Sequence, residues 1–129
     1  MRLRFVILIG VLILLNPSTE TLAHHAWSAE YDANVQKELN GVVTRIEWTN
    51  PHVRFYVDVE DENGVVTNWD LELQSANTLT RNGWTRTALG VGDEVIVEAY
   101  MARDDSNRGN ARGNLRLADG RQLFAGEPE

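Results

Sequence analysis

No cysteine occurs anywhere in the 129 residues. That excludes disulfides, thiolate metal sites and lipid attachment through an N-terminal cysteine. Histidine is scarce too, with only His24, His25 and His52. Basic residues are outnumbered, 12 Lys and Arg against 19 Asp and Glu, for a net charge of −7. Such a chain is repelled by phosphate backbones, which argues against nucleic-acid binding, and by anionic lipid surfaces. It attracts cations instead. The motifs of common enzymes are also missing. There is no Gly-x-Ser-x-Gly elbow, no phosphate-cradling glycine loop and no Cys/His zinc spacing, so no catalytic or cofactor-binding residues are assigned. No internal repeat is present.

What is present begins with a targeting signal. Arg2 and Arg4 precede an unbroken apolar run from Phe5 to Leu15. Eleven residues are too few for a bilayer, which needs about 20. Asn16 and Pro17 break the run, and Thr21-Leu22-Ala23 fits the small-x-small cleavage pattern. The expectation is a signal peptide over residues 1–23, cleaved after Ala23, and a periplasmic or secreted protein with no membrane attachment afterwards. An uncleaved N-terminal anchor is the alternative. Removing these 23 of 129 residues leaves 106, enough for one core. With Arg2, Arg4 and Glu20 gone, the net charge moves from −7 to −8.

Strand signals dominate after residue 35. Residues 39–48 alternate, with Val42, Thr44, Ile46 and Trp48 expected on one face and Val43, Arg45 and Glu47 on the other. Val53, Phe55, Val57 and Val59 point inward on a second strand. Asn63-Gly64 suits a two-residue hairpin turn. Trp69, Leu71 and Leu73 define the return strand, with Asn68, Asp70 and Glu72 on its other side. Ser75 reads as the N-cap of a short helix ending at Gly83. Residues 94–101 form a further strand. A polar loop is expected over residues 103–113, then short strands at 115–118 and 122–124 around the Asp119-Gly120 turn. Three strands in a meander, a short helix between strands 3 and 4, then more strands is the order of an all-β, five-stranded OB-like Greek-key barrel. The expected layout is an N-terminal segment at 24–38 and the barrel domain at 39–129. Trp48, Trp69 and Trp84 are most simply read as core.

The histidines carry the chemistry. A mature chain beginning at His24 offers an α-amine and an imidazole within one chelate, a good nitrogen donor set for copper(II). His25 can bind through the amine, the first amide and its own ring. His52, in the rigid Asn50-Pro51 turn, is a candidate third ligand. The expected metal residues are therefore His24, His25 and His52. The simpler alternatives are two exposed histidines on a loose terminus and a turn histidine bonded to a carbonyl. Trp27 and Tyr31 either pin this terminus to the barrel or belong to a frayed segment. In an OB-like barrel, ligands meet the face of strands two and three and nearby loops. That makes Asn50, Tyr56, Asn68, Arg108 and Arg112 candidate ligand-binding residues, for a peptide, an envelope component or a small molecule. The run Asp104 to Asn110 departs from a calcium loop, because Arg108 intrudes and no glutamate follows at the right distance.

The segments Ala23-His24-His25-Ala26-Trp27, Trp48-Thr49-Asn50-Pro51-His52, Asn68-Trp69-Asp70-Leu71-Glu72 and Arg81-Asn82-Gly83-Trp84 resemble a family of small exported bacterial proteins, domain of unknown function 6152. The similarity covers nearly the whole mature chain. It implies a secreted or periplasmic single domain, OB-like, with no established activity.

Overall fold

The computed structural model describes residues 26–126. The expected signal peptide, His24 and His25 lie outside the described residues. Residues 26–30 form a helical turn, α1. Six strands and one further short helix follow: β1 (Tyr31–Glu47), β2 (Arg54–Glu60), β3 (Val66–Glu72), α2 (Ala76–Arg81), β4 (Glu94–Ala102), β5 (Arg108–Leu117) and β6 (Gln122–Phe124). The chain is thus mostly β. Its strands run in the order β3-β2-β1-β4-β5-β6, and a parallel pairing of β3 with β5 closes the first five into a ring.

β1 is the strand that makes a ring possible. Its first part pairs with β4, from Tyr31↔Ala102 to Val42↔Glu94. Its second part pairs with β2, from Val42↔Asp58 to Glu47↔Arg54. The changeover falls at Gly41 and Val42. A Cβ at Gly41 would overlap the Asp58 carbonyl oxygen and lie 2.8 Å from Val57 Cγ1, so only glycine fits that crossing.

Four sequence expectations change here. β1 begins at Tyr31, eight residues before Leu39, because the polar segment pairs with β4 instead of leading up to the sheet. Its faces are also not those of a regular strand. Val43 is buried and Val42 is 41% exposed. A bulge between Val43 and Arg45 then adds one residue, and Ile46 and Trp48 return to pack on the core. One extra residue inverts the side-chain alternation, which is why a single unbroken face over 42–48 fails. The Asn63-Gly64 hairpin is longer than two residues. Asp61 N–H bonds Val65 O, the Asp61 carboxylate accepts from the N–H groups of Asn63 and Val65, and only Gly64 has positive φ, at 78°. That geometry is a type I turn with a glycine bulge. Finally, β5 starts at Arg108, inside the expected 103–113 loop, because β3 and β4 both pair with it there.

The core fills the ring. Leu39, Val43, Val53, Phe55, Val57, Leu71, Val95, Val97 and Leu115 are all buried. α2 and the segment after it cover one opening. Ser75 caps the helix by accepting from Thr78 N–H, and Leu79, Trp84 and Leu89 pack beneath. The Trp84 indole N–H donates to Phe124 O at 2.8 Å, tying β6 to this plug. Trp84 is core, whereas Trp48 and Trp69 are partly buried against it. Among the described residues no helix is long and apolar enough to cross a membrane.

Candidate functional site

Leu71 and Leu73 point into the ring, so Glu72 between them must point outward. Yet Glu72 is only 5% exposed. Its register neighbours are Arg54 on β2 and Asn110 on β5. Three donors and one ring nitrogen meet at its two oxygens. Tyr31 O–H (3.0 Å) and an Arg54 guanidinium N–H (2.9 Å) donate to Oε2. Asn110 Nδ2–H (3.3 Å) donates to Oε1, and His52 Nδ1 lies 2.9 Å from the same oxygen. A buried carboxylate is tolerable only when its lone pairs are taken up in this way. Arg54 also holds both oxygens of Asp70 at 2.9 Å. The Tyr31 phenol is pushed well above its ordinary pKa, first by burial and then by the negative charges of Glu72 and Glu30.

Two segments cover this carboxylate. The first is the β1–β2 turn, where Thr49 O–H donates to His52 O at 3.1 Å and Asn50-Pro51 is cis. The His52 side chain is 52% exposed, and no described residue bonds its Nε2. The second is α1. Arg103 fastens it through its backbone N–H to Glu30 O (2.9 Å) and its Nε–H to Ser28 O (2.8 Å). Arg108 pairs with the Glu30 carboxylate. Trp27 packs 5.9 Å from the Tyr31 ring centroid, edge-on to Tyr100 at 5.4 Å, and beneath the Arg112 guanidinium at 5.4 Å. Of the two alternatives for the Trp27–Tyr31 segment, pinning is the one adopted.

Between these segments lies an open cleft of about 370 Å³, lined by Ala26, Trp27, His52, Glu72, Asn110 and Arg112 among others. The Trp27 indole N–H is buried beside it with no hydrogen-bond partner among the described residues.

The expected ligand-binding residues divide. His52 and Arg112 are on the cleft wall, and Arg112 Nε–H donates to Asn110 Oδ1 at 2.8 Å. Asn50 is exposed in the turn beside them. Arg108 lies outside the cleft, in a shallower depression with Ala29, Glu30 and Arg103. Both arginines belong to strand β5, not to a loop. Tyr56 and Asn68 are farther along the outer face of β2 and β3 and are already engaged. Arg45 sits 3.8 Å over the Tyr56 ring, and the Asn68 amide donates to Asp58 (2.7 Å) and Thr44 (3.2 Å). His24 and His25 fall outside the described residues. Among the described residues no group of three His, Cys, Asp or Glu side chains is placed to hold a metal.

The residue that sequence reasoning passed over is Glu72, with its donors Tyr31, Arg54 and Asn110. The signal was faint but present. The hairpin sets Arg54, flanked by Val53 and Phe55, opposite Glu72, flanked by Leu71 and Leu73. Opposite charges facing each other amid core residues mark a pair that packing can cover.

Residues 12–112 match a family of unknown function, DUF6152. The chain belongs to that family. Comparison with curated proteins and with solved structures finds no match. The segment matched to DUF6152 contains all three histidines, Glu72 and each of its donors, and it ends at Arg112 on the cleft wall.

Proposed function

We propose that this DUF6152 protein is an exported, non-catalytic binding module that holds copper(II) through the α-amine and ring of His24, with His25 or His52 as the further nitrogen ligand. One observation carries the proposal: Ala26 and His52 line the same cleft. Two residues span at most about 7 Å, so a terminus at His24 starts within reach of that cleft. Among the described residues none bonds Nε2 of half-exposed His52, which leaves that nitrogen open to a metal. A mature charge of −8 draws cations, and a pinned Trp27 limits the freedom that a loose terminus would lose on binding. Storage, delivery or sensing of the ion is the role this reading assigns. The scaffold is read as an OB-like Greek key. That reading is supported by the five-strand ring, the parallel β3–β5 closure and a short helix between β3 and β4.

The test has two parts. Mass spectrometry of the exported protein should find His24 as the first residue. Copper(II) titration of that form should give sub-micromolar binding with a d–d absorption band, weakened strongly by His52→Ala. A protein with one extra residue before His24 should lose most of the affinity. If the two forms bind alike, the N-terminal chelate is wrong. The outer β2–β3 face at Tyr56 and Asn68 is then the surface to probe with peptides, envelope components and small molecules.

A further inference from the structure

We infer that the end of the ring opposite α2 is a binding site for a neutral pyranose sugar, with the Trp69 indole as its platform and the β4–β5 loop as its polar rim. The site shares no residue with the His52 cleft, so the inference does not depend on the copper proposal.

α2 covers the opening where β3 ends and before β4 begins. The opposite opening, at the far end of β4, keeps a depression of about 310 Å³. Trp69 lies two residues before the fully buried Leu71. Strand alternation therefore turns its indole inward, where it packs partly buried against the core. Val35 and Lys37 of β1 and Met101 of β4 stand around the same depression, and Val35 is 44% exposed. The Lys37 ammonium lies 5.4 Å from the Trp69 ring centroid and pairs with no carboxylate among the described residues. An indole face draws this cation through its negative quadrupole, and it draws polarised C–H groups for the same reason.

The rim supplies the polar half. Asp105, Ser106 and Asn107 of the β4–β5 loop line it. The loop is held in shape. Asn107 O accepts from Asp70 N–H at 3.0 Å, the Asp104 carboxylate accepts from Ser106 N–H at 3.1 Å, and Asp105 takes a positive φ of 59°. Groups placed in advance lose little freedom on binding. The charges around the depression cancel, Lys37 and Arg103 against Asp32 and Asp105, so it does not select an ion. A hydroxyl both donates and accepts, so neighbouring hydroxyls can engage an ammonium, a carboxylate and an amide set close together. A flat C–H face with hydroxyls around its edge is the surface of a pyranose.

Saturation-transfer and proton–nitrogen NMR titrations with glucose, galactose, N-acetylglucosamine and maltose test the site. At least one sugar should receive saturation at its C–H protons. The Trp69 indole N–H should shift with it, while those of Trp27, Trp48 and Trp84 stay in place. Trp69→Ala should abolish both effects. If that variant unfolds, Asp105→Gly decides. Glycine keeps the positive φ and the position is exposed, so this variant should fold and bind about tenfold more weakly. Equal affinity in folded Asp105→Gly overturns the proposed site. Silence of all four sugars at millimolar concentration, or shifts confined to the His52 cleft, overturns it as well. So does acetate or tetramethylammonium moving the Trp69 signal where the sugars do not, which would mark an ion site.

Discussion

Tyr31 shows how much one side chain can depend on its surroundings. It opens β1, is 1% exposed, and donates to a buried carboxylate. Tyr31→Phe should therefore cost about 1 kcal/mol at neutral pH, measured by urea unfolding. Its raised pKa adds a pH signature. The unfolded phenol ionises near pH 10, while the folded one keeps its proton to higher pH. The folded state then binds more protons than the unfolded state, so stability is full below about pH 10 and falls as pH rises beyond it. Tyr31→Phe should lose stability less steeply over that range, and the gap between the two proteins should narrow. Equal slopes would mean the native phenol ionises normally. None of this was legible from Tyr31 in sequence, where it was only a neighbour of Trp27. Its partner lies 41 positions away.

At the scale of elements, β1 does two jobs with one strand. It pairs with β4 and then with β2, turning at Gly41 under the Asp58 carbonyl. Gly41→Ala should cost upwards of roughly 2 kcal/mol, since the clash is with backbone and cannot be relieved by a rotamer change. A thermal melt would check it, and a loss below about 0.5 kcal/mol would show that the crossing has slack. The elements that sequence placed well were those governed by local rules. β2 alternates without interruption, α2 has its Ser75 cap and Gly83 at φ 92°, and Gly120 completes its turn at φ 89°. Those placed badly depend on distant partners. The first part of β1, Tyr31 to Glu38, has no apolar alternation because only one edge of it is shared with β4 and most of it stays exposed. The first half of β5 reads as loop because Arg108, Asn110 and Arg112 face outward and alternate with the small residues Gly109 and Ala111.

At the scale of the molecule, the ring is held closed by three register pairs of β3 with β5, from Asp70↔Arg108 to Glu72↔Asn110. Leu71 sits behind that closure, fully buried, with its Cδ2 3.2 Å from where a Cβ at Gly109 would be. Leu71→Ala should cost about 2–5 kcal/mol, and amide exchange should quicken on β3 and β5 before β1 and β4. Uniform loosening of all strands would argue that the closure is no weaker than the rest. The same closure builds the site, because it brings Asn110 and Arg112 alongside Glu72 and gives α1 a surface to lie on.

Sequence alone determined what local chemistry controls. The absence of cysteine excluded thiolate chemistry, and alternation, caps and glycine turns located most strands and the helix, because each rule spans only a few residues. Histidine scarcity also pointed to the Asn50-Pro51-His52 turn. The tertiary structure decided what lies around that histidine. Glu72 is an outward-facing glutamate in any strand reading, and ordinary solvent would claim it. Only the ring closure, the β1–β2 turn and the pinned α1 segment together remove it from water, and each rests on contacts between residues far apart in the chain. Burial then fixes its partners, since a carboxylate without solvent must find its donors within the fold.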